Sequence, residues 1–113
     1  MIATQKNIKK LIEALEEFKK IDPAMSLPSI LTFLYYHDVY NRSGNRSIVE
    51  ERLNMSGATA SRATLYWSEF KTPRVKGVDM LELNQDPENR RANIVTYNTK
   101  GMELLDRLNR ALN

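Results

Sequence analysis

The spacing of apolar residues changes period along the chain, and that change constrains the fold most. Up to Phe70 the apolar residues recur every three or four positions, as on one face of a helix. From Gly77 to Leu83 and from Arg91 to Tyr97 they fall in short runs rich in Val, Ile, Leu, Thr and Tyr, as in strands. Between these runs lies Asn84-Gln85-Asp86-Pro87-Glu88-Asn89, a polar stretch of turn formers. Helical spacing then returns. The expected class is α+β, mainly α, with four helices, a β-hairpin and a C-terminal helix in one domain, 1–113.

Local signals bound each element. A first helix is expected from about Gln5 to Lys20, with Ile8, Leu11, Ile12, Leu15 and Phe18 on one face. Asp22-Pro23 stops it, because a proline pushes the preceding residue out of the helical region. A second helix should begin near Ser26 as N-cap, with Pro28 in its first turn. Leu27, Ile30, Leu31 and Leu34 form its stripe, and Phe33, Tyr36 and Tyr40 continue on an adjoining face before the breaker Asn41–Asn45. A short helix from Ile48 to Asn54, capped by Ser47, should precede a helix from Gly57 to Phe70, capped by Ser56 and closed by Thr72-Pro73. The last helix should be capped by Asn98 or Thr99 and carry Met102, Leu105, Leu108 and Leu112 on one face.

Charge is distributed unevenly. The chain of 113 residues carries a net charge of only +3, yet the stretch from Arg42 to Lys76 holds seven cations against three carboxylates. A local basic patch attracts phosphate even when the net charge is small. There is no cysteine, which rules out disulfides and thiolate metal sites. The N-terminal twenty residues contain no long apolar run, so neither a signal peptide nor a membrane span is expected, and a cytoplasmic location is.

The stretch from Ser47 to Trp67 is the chemically informative one. Val49 and Leu53 can pin a short helix to a core, Asn54-Met55-Ser56 makes a tight turn with Met55 inward, and Ala60, Ala63, Thr64 and Trp67 mark the buried side of the next helix. The other side carries Gly57, Thr59, Ser61, Arg62 and Tyr66, headed by Ser56. A slim surface of short polar residues with one arginine suits entry into a DNA major groove, and the positive helix N-terminus suits phosphate. Arg46, from the basic stretch, joins this DNA-binding set. A hairpin directly after such a helix can lie along the adjacent minor groove, where Arg90 and Arg91 would be its cations.

The pairing of SGATASRATLYW with DPENRRANIVTYNTKGMELLDRL resembles the MarR family of winged helix-turn-helix transcriptional regulators. The family's recognition helix is serine-capped and ends its first turn in a Ser-Arg pair, as at Ser61-Arg62. Its wing tip is of the Asp-Pro-x-Asp-Arg-Arg type, matched by Asp86 to Arg91, and a Thr-x-x-Gly pattern opens the next helix, close to Tyr97–Gly101. The resemblance spans residues 26 to 112. It implies that Arg91 enters the minor groove, that Asp86 helps hold the wing tip, and that Ser56, Thr59, Ser61 and Arg62 face the major groove and the backbone. It also implies a dimer built from the terminal helices. Two positions depart from the family pattern: Glu50 stands where a small residue is usual, and Asn89 replaces the aspartate of the tip.

The expected function is therefore sequence-specific binding of double-stranded DNA by a dimeric regulator. Ile8, Leu11, Ile12, Leu15, Leu105, Leu108 and Leu112 supply more apolar surface than one small core needs, which marks them for dimerisation. The alternative is a winged-helix module that binds another protein and regulates a transcription or replication complex. Phe33, Tyr36 and Tyr40 are candidates to line a small-molecule effector pocket. His37, the single histidine, reads as structural, no catalytic set is recognisable, and neither metal nor other cofactor is expected.

Overall fold

A computed structural model describes residues 2–37, 44–88 and 93–113. Among these, α1 spans Ile2–Ile21, α2 Leu27–Tyr35, α3 Ser47–Leu53, α4 Gly57–Trp67 and α5 Thr99–Leu112. Two antiparallel hairpins lie between α4 and α5: β1 (Phe70–Thr72) with β2 (Val75–Lys76), and β3 (Leu81–Gln85) with β4 (Asn93–Tyr97). The architecture is α+β and mainly helical. Among the described residues no helix is long and apolar enough to cross a membrane.

The helix boundaries have identifiable causes. Asp22-Pro23 ends α1, and the Asp22 carboxylate then accepts the Ala24 N–H at 2.9 Å. Ser26 caps α2 by accepting the Ser29 N–H, with Pro28 in the first turn. Ser56 caps α4 and Asn98 caps α5 in the same manner, through Thr59 and Gly101. The expected cap at Ser47 is replaced: Asn45 Oδ1 accepts the Ser47 N–H at 2.9 Å, and Ser47 is the first residue of α3. α2 ends at Tyr35, short of the expected Tyr40, which lies outside the described residues.

Aromatic side chains from distant elements build the core. Phe18, Phe33 and Trp67 meet pairwise, with the Phe33 and Trp67 ring centroids 4.6 Å apart and Tyr97 edge-on to Phe33 at 4.9 Å. Phe18, Phe33 and Trp67 are buried, and full burial of such a side chain contributes about 1.5–3 kcal/mol. Their polar atoms find backbone partners: Trp67 Nε1 donates to the Ser29 carbonyl at 2.8 Å, and the Tyr97 hydroxyl to the Phe33 carbonyl at 2.6 Å. Tyr36, also buried, lies 2.7 Å from Thr64 Oγ1, and burial pushes its phenol pKa up. Among the described residues no buried side-chain nitrogen or oxygen lacks a partner. Phe33 and Tyr36 are thus both buried in the core.

The expected strand from Gly77 to Leu83 begins only at Leu81. Residues 77–80 satisfy the open carbonyls at the end of α4 instead, through Val78 to Tyr66, Met80 to Trp67 and Asp79 to Ser68, at 2.8–3.0 Å. Gly77 is required by this close approach, since a Cβ there would stand 2.2 Å from the Ser68 carbonyl oxygen. β3 and β4 then pair Leu81 with Tyr97 and Leu83 with Val95, which turns Leu81 and Val95 into the core. Gly44, at the entrance to α3, accepts the Val95 N–H at 2.9 Å and so ties the helical part to β4.

α5 packs along α1, joining Leu104 and Leu108 to Ala14 and Phe18, with Arg107 Nε donating to Glu17 at 3.0 Å. Leu108 was expected at a dimer interface; it is buried in the chain's own core. Leu105 is half-buried, whereas Ile8, Leu11, Ile12, Leu15 and Leu112 remain exposed.

Candidate nucleic-acid interface

The α3–α4 unit turns on one left-handed residue. Asn54 adopts φ 50° and ψ 48° after α3, a conformation asparagine tolerates better than most residues. Met55 follows half-buried, and Ser56 opens α4. Val49 from α3 and Ala60, Thr64 and Trp67 from α4 face the core as expected, while Leu53 and Ala63 are half-buried.

The opposite side of α4 is polar and linked within itself. Ser56 Oγ accepts the Thr59 N–H at 3.2 Å and lies 3.0 Å from Thr59 Oγ1, which in turn accepts from Arg62 Nη2 at 3.3 Å. Ser56, Gly57, Thr59 and Arg62 are all exposed. Four of the expected DNA-binding residues therefore form one accessible surface over the first two turns of α4. Arg62 is held along it at the far end of a short hydrogen-bonded chain.

Two expected members are placed differently. Tyr66 is half-buried, and its hydroxyl donates to Asp22 Oδ2 at 2.5 Å. Burial and the Asp22 carboxylate both push the Tyr66 phenol far up, while the Tyr66 hydrogen bond and then the Ala24 N–H hold Asp22 below its ordinary value. Tyr66 is thus occupied within the chain and closes the exposed face at the C-terminal end of α4. Ser61 is half-buried and lines a cleft of about 310 Å³ between α3, α4 and the β3–β4 hairpin. The same cleft is bordered by Arg46 and Glu50.

Arg46 sits at the start of α3, its Nε 3.8 Å from Glu50 Oε1, with both side chains partly exposed. Glu50 reaches the first turn of α4: a Cβ added at Gly57 would stand 2.9 Å from its Oε1. At the far hairpin, Asp86 Oδ1 accepts the Glu88 N–H at 2.9 Å, the local turn that its position in the tip implies. Asn89, Arg90 and Arg91 lie outside the described residues, as do Asp38 and Arg42.

The β1–β2 hairpin takes the place of the end of the helix whose spacing predicts helical structure through Phe70. It presents Lys71, Arg74 and Lys76, all exposed, with Lys71 Nζ 5.9 Å from the centre of the Tyr66 ring. Its signal was present in Thr72-Pro73-Arg74-Val75, a four-residue turn with proline in second place, where its fixed φ is favoured. Comparison of the chain with protein-family models, with curated proteins and with solved structures finds no match.

Proposed function

We propose that this protein is a winged helix-turn-helix regulator of the MarR type that binds double-stranded DNA as a dimer. In this reading α4 enters the major groove, with α3 crossing the backbone above it and the β3–β4 hairpin serving as the wing. The observation that carries it is the exposed surface Ser56–Gly57–Thr59–Arg62 at the positive end of α4. It offers hydroxyl and guanidinium donors on a helix whose other side is anchored by Trp67 and Ala60. The exposed apolar face Ile8, Leu11, Ile12 and Leu15 on α1, with Leu112 on α5, supports a second copy as the dimer partner. Covering each such half-exposed side chain is worth about 1–2 kcal/mol. That apolar face equally supports the second reading, a winged-helix module whose partner is another protein.

Fluorescence anisotropy on a labelled duplex, taken across a salt series, tests DNA binding. Affinity should fall steeply and linearly on a logarithmic salt scale as phosphate contacts release counterions, with a slope near −0.9 per contact. Selection from a random duplex pool should return a palindromic consensus if the protein binds as a two-fold dimer. Absence of salt-dependent binding would favour the protein-binding reading.

A further inference from the structure

We infer that Glu50 limits the affinity of the α3–α4 surface for nucleic acid, by holding Arg46 away from phosphate and by placing a carboxylate against the first turn of α4. The inference rests on the DNA-binding reading above. It goes beyond it by naming a residue that sets the strength of binding.

Three placements support it. Glu50 Oε1, in the first turn of α3, lies 3.8 Å from the Nε of Arg46, the residue that caps that helix. The same oxygen reaches Gly57, the first residue of α4, so closely that a Cβ there would stand 2.9 Å from it. Ser56, which precedes Gly57, and Thr59, which follows it, are exposed, so the carboxylate borders the surface a phosphate would approach. A helix N-terminus favours an anion, and here the chain's own anion stands beside it. The cation that could compensate, Arg46, is the one Glu50 engages. Both side chains are about a third or more exposed, so the pair is weak and screened by salt. Glu50 therefore attenuates binding and leaves it possible.

The structural role of Glu50 is small. Its side chain is a third exposed, its ion pair is loose, and its backbone carbonyl, which accepts the Met55 N–H at 2.9 Å in the turn, survives substitution. Glu50→Gln keeps the shape and removes the charge.

The test is a double-mutant cycle of Glu50→Gln and Arg46→Ala, read by anisotropy on one duplex at several salt concentrations, with thermal melts of each variant. Glu50→Gln should bind about three- to tenfold tighter than wild type and steepen the salt slope by about one. Arg46→Ala alone should weaken binding by less than it does in the Glu50→Gln background, because in wild type Glu50 partly engages Arg46. Combined with Glu50→Gln it should cancel most of the gain, so the two effects should not add. Equal or weaker binding by a Glu50→Gln variant that melts like wild type would overturn the inference while leaving DNA binding intact. A lowered melting midpoint for Glu50→Gln, with the lost affinity restored by cooling, would overturn it too, by making Glu50 structural. If wild type and every variant lack salt-dependent binding, the DNA-binding reading falls, and this inference with it.

Discussion

Arg62 and Tyr66 lie one helical turn apart on α4, and their surroundings give them opposite roles. Arg62 is exposed and, among the described residues, its guanidinium donates to Thr59 on the same helix, so its loss should cost the fold little. Arg62→Ala should weaken duplex binding by about 1–3 kcal/mol while leaving the melting midpoint within about 1–2 °C of wild type. A variant that melts much earlier would place Arg62 in the packing and not at the interface. Tyr66 instead ties α4 to the end of α1 through Asp22. Because the folded state depresses the Asp22 pKa, its contribution is fully present above the unfolded value of about 3.9 and is lost as pH falls through the lower folded value. Tyr66→Phe should lower the melting midpoint by about 2–5 °C at pH 7, and the gap from wild type should shrink below about pH 4. A gap of constant size from pH 7 to pH 3 would remove the Asp22 charge from the account.

At the level of elements, the join between the helices and the β3–β4 hairpin depends on one residue without a side chain. Gly44 has φ +66°, and a Cβ there would stand 2.5 Å from the Val95 carbonyl oxygen. Gly44→Ala must accept left-handed strain and move β4 away, losing the hydrogen bond from Val95. The expected cost is about 2–3 kcal/mol in urea unfolding. A loss under about 0.5 kcal/mol would mean that the segment entering α3 yields freely and does not position the hairpin. The hairpin's other attachment is chemically different. Asn98 caps α5 and also donates through Nδ2 to Asp79, whose carboxylate is 3.4 Å from Lys100. Asp79 is thereby turned to the α5 side, and Glu82 is left as the exposed carboxylate of β3.

The whole molecule is elongated, with extents of 51 × 29 × 26 Å, and its long helix α1 of 20 residues accounts for much of that length. From Ile2 to Glu13 α1 is exposed except for half-buried Lys10. An apolar stripe on such a helix is where a second copy is proposed to sit. Leu108 and Ile12 separate association from folding. Ile12→Glu should give a folded monomer by sedimentation, its helical circular dichroism retained, because Ile12 is half-exposed within the chain. Leu108→Glu should unfold the protein at any concentration, since it buries an unpaired charge between α1 and α5. A wild-type protein that sediments as a monomer at micromolar concentration would sink the dimer.

Much of this architecture is local in origin and was therefore legible in the chain. Ser26, Ser56 and Asn98 act within three residues of themselves, as does the stop at Asp22-Pro23, so caps and helix starts follow from short-range chemistry. Period alone separates Thr59 and Arg62 from Ala60, Thr64 and Trp67, so the exposed face of α4 could be read from spacing. What needed the tertiary structure are the outcomes of competition between distant groups. Tyr66 has helical spacing for the exposed face, and only its approach to Asp22, 44 positions away, withdraws it. Leu108 shares a stripe with Leu112, and only the packing of α5 on α1 buries one while the other stays exposed. Residues 77–80 are as strand-like as those that follow, yet the open carbonyls of α4 claim their N–H groups first. Periodicity and capping depend on neighbours in sequence, whereas partner choice for a hydroxyl, a leucine or a backbone amide depends on which surfaces the fold brings together.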